Sequence, residues 1–193
     1  MFFWANPTKK LFILAIMGAL VFSPSPAQVY SRDEALRVLA LIDKIQAEQK
    51  TKKGNPVQKA DVTESELNSY IAYRIQTEQE EIMKELRLKL FEKNRIEGKI
   101  GIDLRGQKLP PFLKPQMNFY FEGNLWTKEG WAKLEVTRLF LDEQQVQPFI
   151  LDWVISVAAT LTNNKASSLN DWQELPFGLR KLETERERLV VTY

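Results

Sequence analysis

The chain has 193 residues, 27 of them basic and 25 acidic, and it contains neither histidine nor cysteine. Those two absences remove the Ser-His-Asp and Cys-His nucleophile systems, the commonest zinc and copper ligands, and any disulfide. The sequence also has no phosphate-cradling glycine loop, no G-x-S-x-G or Ser-x-x-Lys motif and no calcium loop, so no cofactor or metal is expected and the chain does not read as an enzyme.

Residues 1–27 have the three parts of a secretory signal peptide. Lys9 and Lys10 form the charged start, 11–22 is the apolar run, and Ser25, Pro26 and Ala27 supply small residues before a cleavage point. The apolar run is short against the roughly 20 residues that span a bilayer. Export with a mature start at Gln28, into the periplasm or the medium, is the expectation. Removing 1–27 takes away two lysines and no acid, leaving equal numbers of basic and acidic side chains. That balance argues against a nucleic-acid partner, which needs a basic excess or patch. Three segments follow: the signal at 1–27, a helix and linker at 28–56, and an α+β domain at 57–193.

Ser31 and Glu34 have the spacing of a capping box. Ala35, Val38, Leu39, Ile42 and Ile45 then recur on one helical face. This helix either packs on the domain or pairs with a protein partner. Gly54 and Pro56 stop it. Thr63 and Glu66 form a second capping box, and Leu67, Tyr70, Ile71 and Ile75 mark the buried face of the helix it starts.

From Leu86 the period changes to two, which predicts half-buried strands. Leu86, Leu88 and Leu90 alternate with Arg87 and Lys89. After a turn at 92–94, Ile96, Gly98, Ile100, Ile102 and Leu104 share one face. Met117, Phe119, Phe121, Gly123 and Leu125 repeat the pattern, and the stretch 127–130 reads as a hairpin turn. Ala132, Leu134 and Val136 return on one parity, whereas Leu139 and Leu141 sit on the other, which predicts a bulge near Arg138. Strands joined by short turns make an antiparallel meander with one dry face. Gly98 and Gly123 fall on that face, where glycine marks a bulge, a bend or a close approach.

Residues 148–161 predict a helix that is apolar on nearly all sides, with Phe149, Ile150, Trp153, Val154, Val157 and Leu161 at helical spacing. Such a helix is expected to be buried on nearly all sides. Two further strands are expected at 179–184 and 189–193. The fold class is therefore α+β: a strongly curved antiparallel sheet of about five or six strands cupping one apolar helix, with two N-terminal helices outside it or across its mouth.

Carboxylates are the chemistry that remains. Asp103, Glu122 and Glu135 fall on the wet face of adjacent strands, where charges are normally solvated. Asp152 stands in the first turn of the apolar helix, where a carboxylate favours the helix N-terminus. Among aromatics, Trp126 and Trp131 flank one hairpin turn, a place for cross-strand packing or for a membrane interface. In the loop 107–115, Leu109, Phe112 and Leu113 lie between Lys108 and Lys114. That pattern suits an anionic membrane surface and equally suits a loop folded under the domain.

The stretch Thr63-Glu64-Ser65-Glu66-Leu67-Asn68-Ser69-Tyr70, with the long alternating strands and the later Leu175-Pro176, resembles exported bacterial proteins that share a T-E-x-E-L-N-x-Y start. Those are similar to single modules of the tubular lipid-binding type, in which a curved sheet wraps a long helix. The resemblance covers roughly residues 57–193. It implies a lipid-binding fold and supplies no catalytic residues.

Together these readings predict an exported module that holds a lipid or acyl chain between the sheet and helix 148–161. Phe119, Phe121 and Trp153 would line the site, Gly98 and Gly123 would leave room for the ligand, and Phe112, Trp126 and Trp131 would stand near its rim. The competing expectation is a non-enzymatic envelope interaction protein with a self-filled core, meeting its partner through helix 32–48.

Overall fold

The computed structural model describes residues 30–51, 57–78, 82–106, 114–161 and 168–193. The expected signal peptide and Phe112 lie outside the described residues. Among the described residues the fold is α+β, with a strongly curled antiparallel sheet and three α-helices.

The period-two stretches form that sheet. Strands β2 (Met83–Leu90), β3 (Arg95–Asp103), β4 (Gln116–Lys128), β5 (Trp131–Leu141) and β6 (Gln144–Val146) stand side by side in chain order. The turn residues Lys93, Asn94, Glu129, Gly130 and Asp142 all have positive φ. Glu129 and Gly130 form a two-residue loop between the paired Lys128 and Trp131, and two positive φ values in succession match the right-handed strand twist there. The bulge expected near Arg138 is present: Glu122 pairs with Arg138 and Gly123 with Val136, which leaves Thr137 unmatched. One extra residue restores parity, so Leu139 and Leu141 pair with Phe121 and Phe119 on the inner face.

A second sheet has the order β1-β9-β8, from β1 (Lys59–Thr63), β8 (Lys181–Glu185) and β9 (Arg188–Thr192). The tail strands were expected, but they pair with β1 rather than extending the main sheet. Backbone bonds tie the two sheets at one end. Glu187 N–H reaches Leu90 O at 3.1 Å, and Gly130 N–H reaches Arg180 O at 2.9 Å. The two-residue strand β7 (Gln173–Glu174) pairs with the start of β5.

Helix α2 (Glu64–Thr77) begins at a complete capping box and closes the open edge of β2. The Asn68 amide accepts from Leu88 N–H and donates to Leu88 O, both at 2.7 Å, and Glu64 accepts from Leu90 N–H at 2.7 Å. Helix α1 (Arg32–Thr51) packs on α2. Glu34 accepts from the hydroxyls of Ser65 and Ser69, at 2.8 and 2.7 Å, and Arg37 meets Glu66 at 2.9 Å.

Helix α3 (Phe149–Leu161) departs from expectation. Leu151, Val154 and Ala159 are buried, but Phe149 is 63% exposed and Ile150, Trp153, Ile155 and Val157 are only half-buried. It is covered on one side rather than on nearly all sides. The reason is visible in the core: side chains of α1, α2 and the tail take up much of the space inside the curl, all within one apolar cluster.

Candidate functional site: an apolar cavity beneath the first helix

The inner faces of α1, α2, the main sheet and the second sheet leave a cavity of about 170 Å³. Each wall follows from a sequence period. Val38, Leu41, Ile42 and Ile45 come from one face of α1, and Leu67, Tyr70 and Ile71 from one face of α2. The strands contribute inner-parity residues: Leu88, Leu90, Ile96, Phe121, Leu125 and Leu134. The tail closes the far side with Leu169, Phe177, Leu179, Leu182, Leu189 and Val191. Among the described residues, Ser168, Gln173 and Tyr70 are the members of this wall with polar side-chain groups.

Tyr70 is 1% exposed, and burial pushes its phenol pKa up, against the opposing pull of the Arg74 guanidinium. Arg74 donates to the Tyr70 hydroxyl at 2.9 Å and pairs with Glu78. The phenol therefore stays neutral at physiological pH, and its polar end is already satisfied from outside the cavity.

A larger groove, about 610 Å³, lies on the outer face between α2 and the strands, floored near Arg87, Lys99, Tyr120 and Phe140. It is an open face laced with ion pairs: Lys99 with Glu85 at 2.5 Å, Glu97 with Arg95 at 2.7 Å, and Glu122 with Arg138. Lys99, Glu97 and Glu122 are therefore already engaged, and the face is open to solvent, so the enclosed apolar cavity is the stronger candidate despite its size.

The expected site residues divide sharply. Phe121 is in the cavity wall. Phe119 is fully buried beside it in sequence but belongs to the packed part of the core. Trp153 is half-buried on α3, away from the described cavity wall. Gly98 leaves no room for a ligand: the Phe121 ring already fills its side-chain space, with ring carbons 2.3 Å from where a Cβ would stand. Gly123 sits at the bulge, where a Cβ would meet the Glu135 carbonyl oxygen at 2.6 Å. Trp126 and Trp131 are 50% and 47% exposed on the outer face and do not rim the described cavity. Trp126 donates to Glu135 at 2.8 Å, and across β5 the Lys133 ammonium lies 5.5 Å from the Trp172 ring.

What the sequence reading did not find was the part played by α1 and α2. Their apolar faces were legible as packing faces; that both face a cavity was not, because periodicity reports which side is buried and not against what.

The carboxylates do not converge. Asp103, expected on the wet face, is 7% exposed. Arg105 grips it at 2.9 and 2.5 Å, and Gln116 adds a bond at 3.2 Å. These contacts, Arg105 foremost, hold its pKa below the usual carboxylate range. Glu122 pairs with Arg138, and Glu135 accepts from Trp126. Asp152 accepts from Ser168 Oγ at 2.9 Å and from Leu169 N–H at 3.2 Å, tying the tail to α3. Among the described residues no three acidic side chains come together to hold a metal ion.

Comparison with protein-family models, with curated proteins and with solved structures finds no match to this chain.

Proposed function

We propose that this chain is an exported binding module for a small apolar ligand, the end of a single acyl chain or a group of similar size, held in the cavity beneath α1. The observation that carries the reading is the cavity itself: about 170 Å³ walled almost wholly by aliphatic and aromatic side chains. Interiors normally close-pack and leave few voids larger than a water. A cavity of about 150 Å³ lined by such residues stays dry and takes benzene-sized guests. Drug-sized ligands need roughly 300–1,000 Å³. The volume therefore favours one short apolar group over a whole two-chain lipid. The sheet and α3 still frame the core, but the site moves from the α3 side to the α1 side.

Export rests on the residue pattern at 1–27. The competing interaction-protein reading used the apolar face of helix 32–48 for a partner; Ala35, Val38 and Ile45 of that face are buried inside the fold, which weakens it.

The test is to purify the chain natively and look for co-bound lipid by mass spectrometry, then to titrate the stripped protein with a fluorescent acyl probe. Saturable binding, competed by short fatty acids, is expected. A folded protein with no co-purified lipid and no saturable binding would end the proposal.

A further inference from the structure

The second apolar feature is on the surface. Helix α3 carries one ionisable residue, Asp152, and its carboxylate is used inward, on Ser168 and Leu169. At 3.6 residues per turn, Phe149, Ile150, Trp153 and Val157 share the face away from buried Leu151. Phe149 is 63% exposed, and the other three are partly exposed at their outer edges, Ile150 and Trp153 packing against the core with the rest of their side chains. Exposed Ser156 borders this face, and its hydroxyl donates to the Asp152 carbonyl at 2.9 Å. The result is an uncharged apolar strip.

We propose that this face of α3 rests on a lipid bilayer surface. From Phe149 to Val157 the strip is about 14 Å long and about 10 Å wide, roughly 140 Å². Two copies meeting through it would bury about 280 Å², about a quarter of the roughly 1,200 Å² at the lower end of stable protein interfaces. A different protein partner on this face alone meets the same shortfall. A bilayer does not, because it takes apolar side chains into the boundary between headgroups and acyl chains without a matching surface. The Trp153 indole, apolar in body and polar at N–H, suits that boundary. No described helix is long and apolar enough to cross a membrane, so α3 lies on it. The strip carries no charge, so apolar burial drives the contact and anionic lipid is not required. This inference goes beyond the cavity reading and does not depend on it.

The experiment is co-sedimentation of the chain from Gln28 onward, which contains every described element of the fold, with phosphatidylcholine vesicles and with phosphatidylcholine–phosphatidylglycerol vesicles. Binding to both is expected, within about threefold of each other, and it should persist at about 1 M salt, where the Debye length is about 3 Å. Phe149→Glu should weaken binding about tenfold or more, through loss of its buried apolar area, with an unchanged melt and circular dichroism spectrum. Val57→Glu, at a residue exposed elsewhere, should leave binding unchanged. Each of these results would overturn the proposal: no binding to either vesicle, binding indifferent to Phe149→Glu, binding lost in salt, or a wild-type dimer that Phe149→Glu dissolves. A Phe149→Glu protein that melts lower while the wild type ignores vesicles would assign the strip to segment 107–113 of the same chain, and would also overturn it.

Discussion

Asn68 stands in for a missing strand at the edge of β2. Its amide exchanges both hydrogen bonds with Leu88, as a neighbouring peptide would, and Glu64 takes the next free N–H. Asn68→Ala strips both partners from Leu88 and is expected to cost about 1–3 kcal/mol in a urea melt. Asn68→Asp keeps the acceptor but sets a carboxylate against Leu88 O, so it should not rescue. The glycines separate in the same assay. At Gly98 an added methyl displaces only the tip of the Phe121 side chain, whereas at Gly123 it strikes backbone. Gly123→Ala should therefore be the more destabilising of the two, and Gly98→Ala should push Phe121 into the cavity and weaken probe binding. Three carboxylates with lowered pKa values contribute to the response to acid. Arg105 on Asp103 and Lys114 on Asp142 hold those pKa values below 3.8; at Glu66 burial pushes upward, but Thr63 N–H and Arg37 outweigh it and hold the value below 4.5. A folded-state pKa below the unfolded one stabilises the fold above the unfolded pKa, and that contribution is lost as pH falls through the folded pKa. With no histidine in the chain, the melting temperature should be nearly flat from about pH 6 to 8 and fall below about pH 4.5. A steep change between pH 6 and 7 would contradict this.

At the scale of elements, α3 is the sharpest test. Val154 is 1% exposed and Phe149 is 63% exposed, five residues apart on one helix. Val154→Asp buries an unpaired charge and should cost several kcal/mol, while Phe149→Glu should stay within about 0.5 kcal/mol, as should Lys133→Asp on the outer face. Equal effects at Val154 and Phe149 in a denaturant melt would mean that the helix is turned about its axis. The strands were legible because each carries a full period-two pattern, and the bulge was legible because Leu139 and Leu141 change parity. The capping box at Thr63 and Glu66 was legible from spacing alone. Strand β1 was not singled out, since its five residues acquire meaning only when Val62 and its neighbours pair with β9. The all-round burial expected of α3 failed for a different reason. Hydrophobic pattern states how much surface a helix offers for burial, and here only one side is covered by the fold. The T-E-x-E-L-N-x-Y stretch has a structural account: Thr63 and Glu66 cap α2, Glu64 and Asn68 hold β2, Ser65 and Ser69 hold Glu34 of α1, and Leu67 and Tyr70 wall the cavity.

At the scale of the whole molecule, two sheets tied together at one end and the three α-helices of the described residues enclose one apolar cluster that is incompletely filled. The cavity lies where four separately patterned pieces meet, which is why it could not be read from any one of them. Gly98 was the wrong pointer to it: a small residue in the sequence signalled space, but the space belongs to Phe121. The central claim is that the void beneath α1 is real and is where an apolar ligand sits. Ile45→Trp tests it most directly, because Ile45 is 2% exposed and faces the cavity from α1. A close-packed core pays about 1–3 kcal/mol for so large an insertion. The account predicts that the indole fills the void, so the melt is unchanged or higher while saturable acyl-probe binding disappears. A destabilised Ile45→Trp protein that still binds the probe as the wild type does would contradict it.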